Sequence, residues 1–479
     1  MKRRRYNRLG MKVTRRTLLA GFPAIHVGRA AAAKPNVVMV MTDDHGAWAT
    51  GCYGCKQMHT PNLDSLASGG ARFTRAFACT PVCSPSRMTY ITGKLPSRHG
   101  VQDWLIPEDS FGPRSPRWLE GQTTYTEILA RNGYTLGLSG KWHMGQDDRA
   151  QAGFTSWCTV PGGGGTYKDP EFVENGRRVK VHGYKTDHVG DCALAFLDRH
   201  HKDPFYLLVP FYAPHTPYNY QPEQYRQPYN NSSFECFPDT PMNPWQNAGL
   251  AHLHGSRDAK QAYSALITGM DTNLGRILKR LDDLGVRDNT LVVFTADQGW
   301  CGGQHGVWGK GNGTWPFNMY EESLHVPLIW NHPRRIRAGL QPQPMVSSYD
   351  YFPTILDYLG IEAPHDPARV GRSYAPFLQG KNPAWRNRLY FEYEYVRGVR
   401  TENLKYIQRT KEWPSELYDL ETDPGETKNR LDDPAYRKQR IALQQDLMQF
   451  FARKGAPPIE QWHSTTRQNL TVYRAVGAK

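Results

Sequence analysis

Val37-Val38-Met39-Val40-Met41-Thr42-Asp43-Asp44 is five apolar residues without a polar break, then a threonine and two carboxylates. A strand wet on one face alternates polar with apolar residues; an unbroken apolar run belongs to a strand buried on both faces, as in a parallel sheet covered by helices. Similar runs at 134–138, 205–211, 291–294 and 326–330 alternate with helical patterns at 123–132, 187–200 and 257–284. That alternation predicts an α/β fold with a large, mostly parallel, doubly wound sheet flanked by helices. In the longest helical pattern Leu266, Met270, Leu274, Ile277, Leu278, Leu281 and Leu284 share one stripe, so it lies against the sheet. Beyond about residue 385 the pattern changes to strand-like pieces at 389–395 and 403–408, a turn-rich stretch and a charged helix at 434–453. This predicts a smaller antiparallel sheet covered by a helix, and hence a catalytic domain over 34–385 and a C-terminal subdomain over 386–479.

Charge distribution narrows the function. The chain of 479 residues carries a formal net charge of +14, but nine of its 59 basic residues precede residue 34 with no acidic residue among them. The remainder has 50 basic against 45 acidic residues, too slight an excess for a nucleic-acid-tracking surface and compatible with a small anionic substrate. Residues 1–33 have a basic start, Thr14-Arg15-Arg16-Thr17-Leu18-Leu19, a mildly apolar stretch and Ala30-Ala31-Ala32-Ala33, which is the pattern of a twin-arginine signal peptide. The mature chain is then expected to begin near Lys34 and to be periplasmic or secreted. No apolar run is long enough to span a bilayer, so stable membrane insertion is not expected.

In open α/β sheets ligands bind beyond the carboxyl ends of the strands. The run at 37–41 leads into Asp43 and Asp44, that at 134–138 into Lys141 and His143, that at 205–211 into His215, and that at 291–294 into Asp297 and Gln298. One such coincidence means little, since aspartate is common as a helix cap; four together argue a site. Three carboxylates and the amide oxygen of Gln298 suit a hard divalent cation such as calcium, and the shortage of histidine argues against zinc.

Cys83 in Cys83-Ser84-Pro85-Ser86-Arg87 follows Thr80-Pro81 and precedes an expected helix over 84–92, whose free amides favour an anion. By itself a cysteine there reads as a buried thiol or as the thiolate of a phosphatase. Thiolate phosphatases space cysteine and arginine differently and need no carboxylate-bound metal.

With these residues assembled, the chain resembles the formylglycine-dependent sulfatases of the alkaline-phosphatase superfamily. Thr42-Asp43-Asp44, the Cys-x-Pro-x-Arg string at 83–87, Gly140-Lys141-Trp142-His143, Pro214-His215-Thr216-Pro217, Asp297-Gln298-Gly299 and Glu321-Glu322-Ser323 occur in that family's order, and Leu417-Tyr418-Asp419-Leu420 with Asp423-Pro424 is similar to its C-terminal subdomain. The resemblance implies that a formylglycine-generating enzyme converts Cys83 to formylglycine, whose hydrate attacks sulfur beside one calcium ion held by Asp43, Asp44, Asp297 and Gln298 and touched by the modified Cys83 itself. It also implies that Arg87 stabilises the diol, that Lys141 and Lys310 hold sulfate oxygens, that His215 protonates the leaving alcohol and that His143 takes the diol's second proton. Two features depart from the family pattern. Gln298 replaces the usual asparagine or histidine, and the stretch 311–318 intervenes between Lys310 and Tyr320.

His305 and Trp308 are expected to contact substrate, and Trp104, Trp142, Trp300, Trp315 and Tyr167 would suit stacking on sugar rings, so the expected substrate is a sulfated carbohydrate. The rival readings are an arylsulfatase of broad specificity, a phosphodiester or phosphonate monoester hydrolase on the same scaffold, and an inactive metal-dependent glycan-binding protein. Eight cysteines are too few for a disulfide scaffold, and the Cys52-x-x-Cys55 pair reads as structural.

Overall fold

The computed structural model describes residues 34–113, 115–410 and 412–461; the leader read into residues 1–33 lies outside the described residues. One sheet is built from β1 (Asn36–Thr42), β2 (Ala71–Phe73), β3 (Thr135–Gly140), β4 (Ser156–Thr159), β5 (Glu171–Glu174), β6 (Arg177–Lys180), β7 (Phe205–Pro210), β8 (Thr290–Ala296) and β9 (Leu328–Asn331). Their order in space is β2-β9-β8-β1-β7-β3-β4-β5-β6. β1 is central and fully buried, and its alternate residues serve opposite cores: Val38 and Val40 pack on one side, Val37, Met39 and Met41 on the other. An unbroken apolar run is thus what the position requires.

The sheet is mostly parallel at its centre, as expected, and becomes mixed at its edges. The five central strands β8, β1, β7, β3 and β4 are parallel, but β9 and β2 at one edge and β5 and β6 at the other are antiparallel additions. β5 and β6 are joined by Asn175-Gly176, both with positive φ, a hairpin turn that only an antiparallel pair accepts. That dipeptide was the available signal.

Helices cover both faces: α1 (Cys83–Thr92), α2 (Tyr125–Arg131), α3 (Lys185–His200) and α4 (Arg257–Asp283). α2 starts at a capping box in which Thr124 and Glu127 satisfy each other's backbone amides. The expected stripe of α4 is buried: Leu266, Met270, Leu274, Ile277 and Leu281 lie in the core, with Leu278 and Leu284 flanking. The second sheet, β10 (Leu389–Tyr393), β11 (Val396–Arg400), β12 (Leu404–Arg409) and β13 (Glu416–Asp419), is antiparallel in sequence order. Leu443, Leu447 and Phe451 of α5 (Arg437–Arg453) cover it. Cys79, Val82 and Cys83 share this apolar cluster, so the smaller sheet forms the floor beneath the start of α1. The described residues form one compact unit.

Of the Cys52-x-x-Cys55 pair, read as structural, only Cys55 is bridged, and its partner is not Cys52. Cys55 forms a disulfide with Cys236, 181 residues away, while Cys52 remains a thiol beside Asp64. Cys79 is buried and unbridged, its thiol pushed up by burial.

Candidate active site

Backbone hydrogen bonds bring the four central strand ends to one edge. Asp297 donates its amide to Thr42, Lys141 to Pro210 and Phe211 to Met41, at 2.7–2.9 Å. The register that pairs Thr42 with Ala296 sets Asp43 beside Asp297. Asp44 and His143 both adopt positive φ, which turns their side chains inward immediately after β1 and β3.

Asp43, Asp44, Asp297 and Gln298 are all buried, and three cationic side chains converge on them. Lys141 Nζ lies 2.5 Å from Asp43 Oδ2, and Lys310 Nζ 2.5 Å from Asp44 Oδ1. Arg87 spans Asp297 Oδ2 at 2.8 Å and Asp43 Oδ2 at 3.3 Å, and donates to the Lys141 carbonyl. It thereby holds the carboxylates in place. Burial drives Asp44 up to about 6 and Asp297, further crowded by Asp43, up to about 7. Burial also opposes ionisation of Asp43, but Lys141, His215, Arg87 and Lys310 together pull it well below the usual carboxylate range. Three carboxylates so close are a set that an added cation would relieve.

Two of their oxygens are left over. Asp44 Oδ2 and Gln298 Oε1 are buried without a hydrogen-bond partner. The amide nitrogen of Gln298 sits 3.3 Å from Asp43 Oδ1 and 2.6 Å from Asp44 Oδ1. A half-turn of the amide exchanges Nε2 for Oε1 and aims the carbonyl at the point where the carboxylates converge. The extra methylene of glutamine therefore keeps its oxygen within reach.

Cys83 is the first residue of α1 and is 3% exposed. Its Sγ lies 3.6 Å from Lys310 Nζ and forms a close trio with Asp43 and His215. Burial raises the Cys83 thiol, yet Lys141 and Lys310 outweigh it and leave the group below its ordinary value. His143 donates from Nε2 to the Leu105 carbonyl at 2.8 Å, which leaves Nδ1 buried, unprotonated and without a partner. Burial, reinforced by Lys141, keeps it neutral. His215 Nε2 is 3.6 Å from Asp44 Oδ2.

Cys83, Asp44, Lys141, His143, His215 and Lys310 open onto one cavity of 420 Å³. Trp104 and Trp300 line it too, as expected, but the rest of the wall was not anticipated: Gly162, Gly163 and Gly164, with Asn247, Leu250 and Asn312. Gly163 must be glycine, since a Cβ there would lie 2.2 Å from the His143 ring and its φ is +68°. Buried Lys185, also unanticipated, donates to the Gly164 and Gly165 carbonyls at 3.0 Å and so fixes that wall. The glycine run was readable as a loop; what it faces was not.

His305 and Trp308 are not among the residues lining the cavity. His305 is tied to Glu322 at 2.6 Å and stacks on Tyr320, and Trp308 is fully buried against Phe237, Tyr263 and Trp300. Trp142 and Tyr167 are likewise core residues, and Trp315 packs among Phe317, Tyr395 and Trp413. Of the aromatics expected to face substrate, only Trp104 and Trp300 line the cavity.

Residues 35–361 match the family described as sulfatase, and residues 303–453 match the C-terminal region of N-sulphoglucosamine sulphohydrolases. The chain belongs to the sulfatase family. It is therefore a sulfuric ester hydrolase on an alkaline-phosphatase-like α/β fold. This sulfatase is 29% identical to an N-acetylglucosamine-6-O-sulfatase of Bacteroides thetaiotaomicron, over 86% of this chain and 85% of that one. It is also 29% identical to human arylsulfatase A, over 85% of both chains. Among solved structures it is similar to one determined in complex with its substrate D-glucosamine-2-N,6-O-disulfate, with a TM-score of 0.77, 27% identity and coverage of 89% and 99% of the two chains.

Proposed function

We propose that this sulfatase removes sulfate from carbohydrates, with a formylglycine made from Cys83 as nucleophile and one calcium ion beside it. The observation that carries this reading is that Cys83, two lysines and two histidines share one cavity while Asp44 Oδ2 and Gln298 Oε1, next to them, accept no hydrogen bond. Asp43, Asp44, Asp297 and Gln298 would hold the ion, being hard oxygen donors with no competing soft ligand other than Cys83 before its conversion. Bound there, calcium supplies a Lewis acid that draws charge from a sulfate oxygen.

The chain's own groups divide the remaining tasks. Lys141 and Lys310 are released from their carboxylates to bind sulfate oxygens, placing positive charge where the sulfuryl group needs it. His215, at the cavity wall, delivers a proton to the departing sugar oxygen. His143, with its tautomer fixed by the Leu105 carbonyl, offers Nδ1 as acceptor for the nucleophile's proton. Arg87 acts as a positioning residue through Asp43 and Asp297. The near-complete burial of Cys83 means that a formylglycine-generating enzyme has to reach it before α1 packs.

A carbohydrate is favoured by the cavity wall, where Trp104, Trp300 and Leu250 offer apolar faces beside the amides of Asn247 and Asn312, a mixture suited to a hydroxylated ring. The names of the N-acetylglucosamine-6-O-sulfatase and of the structure solved with D-glucosamine-2-N,6-O-disulfate point the same way, while that of arylsulfatase A keeps the aryl ester as the rival. Periplasmic export through the twin-arginine route fits the Cys55–Cys236 disulfide, which needs an oxidising compartment.

Mass spectrometry of the peptide carrying Cys83 tests the nucleophile: loss of sulfur and gain of an aldehyde are expected, and an intact thiol in active enzyme would sink the reading. Sulfate release from N-acetylglucosamine 6-sulfate, an aryl sulfate and a phosphonate monoester in parallel tests the substrate. Turnover of the aryl ester alone removes the carbohydrate assignment, and comparable turnover of the phosphonate removes the preference for sulfate.

A further inference from the structure

We infer that the protein carries a second metal centre, structural rather than catalytic, in which Cys158, Glu174, His188 and Cys192 bind one zinc-class divalent cation. Cys158 lies in β4 and Glu174 in β5, where the two residues are direct partners in the antiparallel register. His188 and Cys192 are one turn apart on α3, on the same face. Four residues from three elements thus meet at the β4–β5 end of the sheet.

Their ligand atoms lie within 4.8 Å of one another. His188 Nε2 is 2.9 Å from Glu174 Oε1, 3.5 Å from Cys192 Sγ and 4.0 Å from Cys158 Sγ. Sulfur about 2.3 Å and nitrogen about 2.05 Å from a common tetrahedral centre stand roughly 3.5 Å apart, so the Cys192 spacing already matches such a centre and Cys158 Sγ has to close by about half an ångström. The Glu174 oxygen needs to withdraw by only a few tenths of an ångström when a cation replaces its hydrogen bond.

Two thiolates and an imidazole select a borderline or soft ion over calcium, and four protein ligands leave no open position for substrate. On binding, Cys158 and Cys192 each lose a proton to solvent, His188 coordinates as neutral imidazole and Glu174 as carboxylate, giving the centre a net charge of −1. Cys158 is buried, whereas Glu174, His188 and Cys192 are partly exposed, which leaves an entry path.

The location gives the centre a role. β4 runs directly into Val160 and the glycine wall of the catalytic cavity, and α3 begins with Lys185, whose ammonium holds that wall by the Gly164 and Gly165 carbonyls. A cation joining β4, β5 and α3 pins both supports of the wall. The inference does not depend on the nature of the substrate or of the nucleophile.

The test is metal analysis of the full-length protein purified from zinc-containing medium, as wild type, Cys192→Ser and His188→Gln, with cobalt(II) substitution in a Cys83→Ser background so that the catalytic thiol contributes nothing. One zinc per chain is expected in the wild type and in Cys83→Ser, with zinc falling to trace levels in the other two while calcium content is unchanged. Cobalt should give an intense thiolate charge-transfer absorption that Cys192→Ser abolishes. Should Cys192→Ser fail to fold, the His188→Gln protein and the cobalt spectrum still decide. Zinc absent from folded wild type, zinc retained in both variants, or a Cys158–Cys192 disulfide found by peptide mapping would each overturn the proposal.

Discussion

Around Asp43, three carboxylates meet Arg87, Lys141 and Lys310; around Glu321, three carboxylates meet Arg400, Lys405 and His305. The two clusters have almost the same composition and differ in what is left over. In the second, Glu321 has Arg400 at 3.0 Å and Lys405 at 3.1 Å, Glu322 has His305 at 2.6 Å, and Lys405 also contacts Glu426. In the first, Asp44 Oδ2, Gln298 Oε1 and His143 Nδ1 accept no hydrogen bond, Asp44 Oδ2 having only the His215 ring at 3.6 Å, and the cluster borders a cavity of 420 Å³, whereas Glu426 Oε1 in the second is closed off by Lys405. Buried charge marks a reactive site only where the fold leaves polar atoms unspent next to open space. Elsewhere it ties elements together, here the Glu321 segment to β11 and β12.

The comparison can be broken by substitution. Cys83→Ala should reduce sulfate-ester hydrolysis by about ten-thousand-fold or more while leaving the thermal unfolding midpoint nearly unchanged, because a nucleophile adds little to packing. Residual turnover within tenfold of wild type would contradict the assignment. Lys405→Met should do the reverse. Removing a fully buried cation strands Glu426 and leaves Glu321 to Arg400 alone, which costs about 3–5 kcal/mol in denaturant titration, with unaltered turnover per folded molecule. Loss of activity without loss of stability would make the second cluster functional.

Lys141→Ala sharpens the contrast further. Arg87 remains on Asp43, so stability should fall less than for Lys405→Met, yet kcat should drop by about a hundred- to a thousand-fold, as when one charge-stabilising donor is removed. The smallest effect concerns pH. Burial lowers the His305 ring, but its hydrogen bond and ion pair with Glu322 outweigh this and raise it above its ordinary value. A raised histidine contributes its full stabilisation below about pH 6.5 and loses it as pH rises through the folded value. Wild type should therefore exceed His305→Gln by about 1–2 kcal/mol at low pH, with the gap closing on the alkaline side. A gap that widens with pH would reverse the sign and remove the charged pair.

His305 shows where sequence reading ends. It follows a strand-end loop just as His215 does, and both were expected to face substrate, yet one lines the cavity and the other is paired with Glu322 and close to Glu426. Nothing local distinguishes them. Lys310 is the opposite case: the intervening residues 311–318 obscured its alignment, and its ammonium nevertheless lies 3.6 Å from Cys83 Sγ. Trp308 and Trp142 read as sugar platforms but are core, because a large aromatic near a site is buried as readily as it is displayed.

By itself the sequence determined four of the five central parallel strands, all but β4, the carboxylates and cations at their ends, a helix directly after Cys83 and the smaller sheet beyond residue 385. All of these follow from local periodicity and from the rule that parallel strands point their carboxyl ends to one edge. Only the tertiary structure decided which histidine meets the cavity, that Gly163 underlies His143, that Cys55 bonds Cys236, and that β9 and β5 run against the central strands. Those outcomes depend on contacts between segments far apart in the chain, where packing and hydrogen-bond satisfaction over the whole molecule select one partner among many and no short-range pattern records the choice.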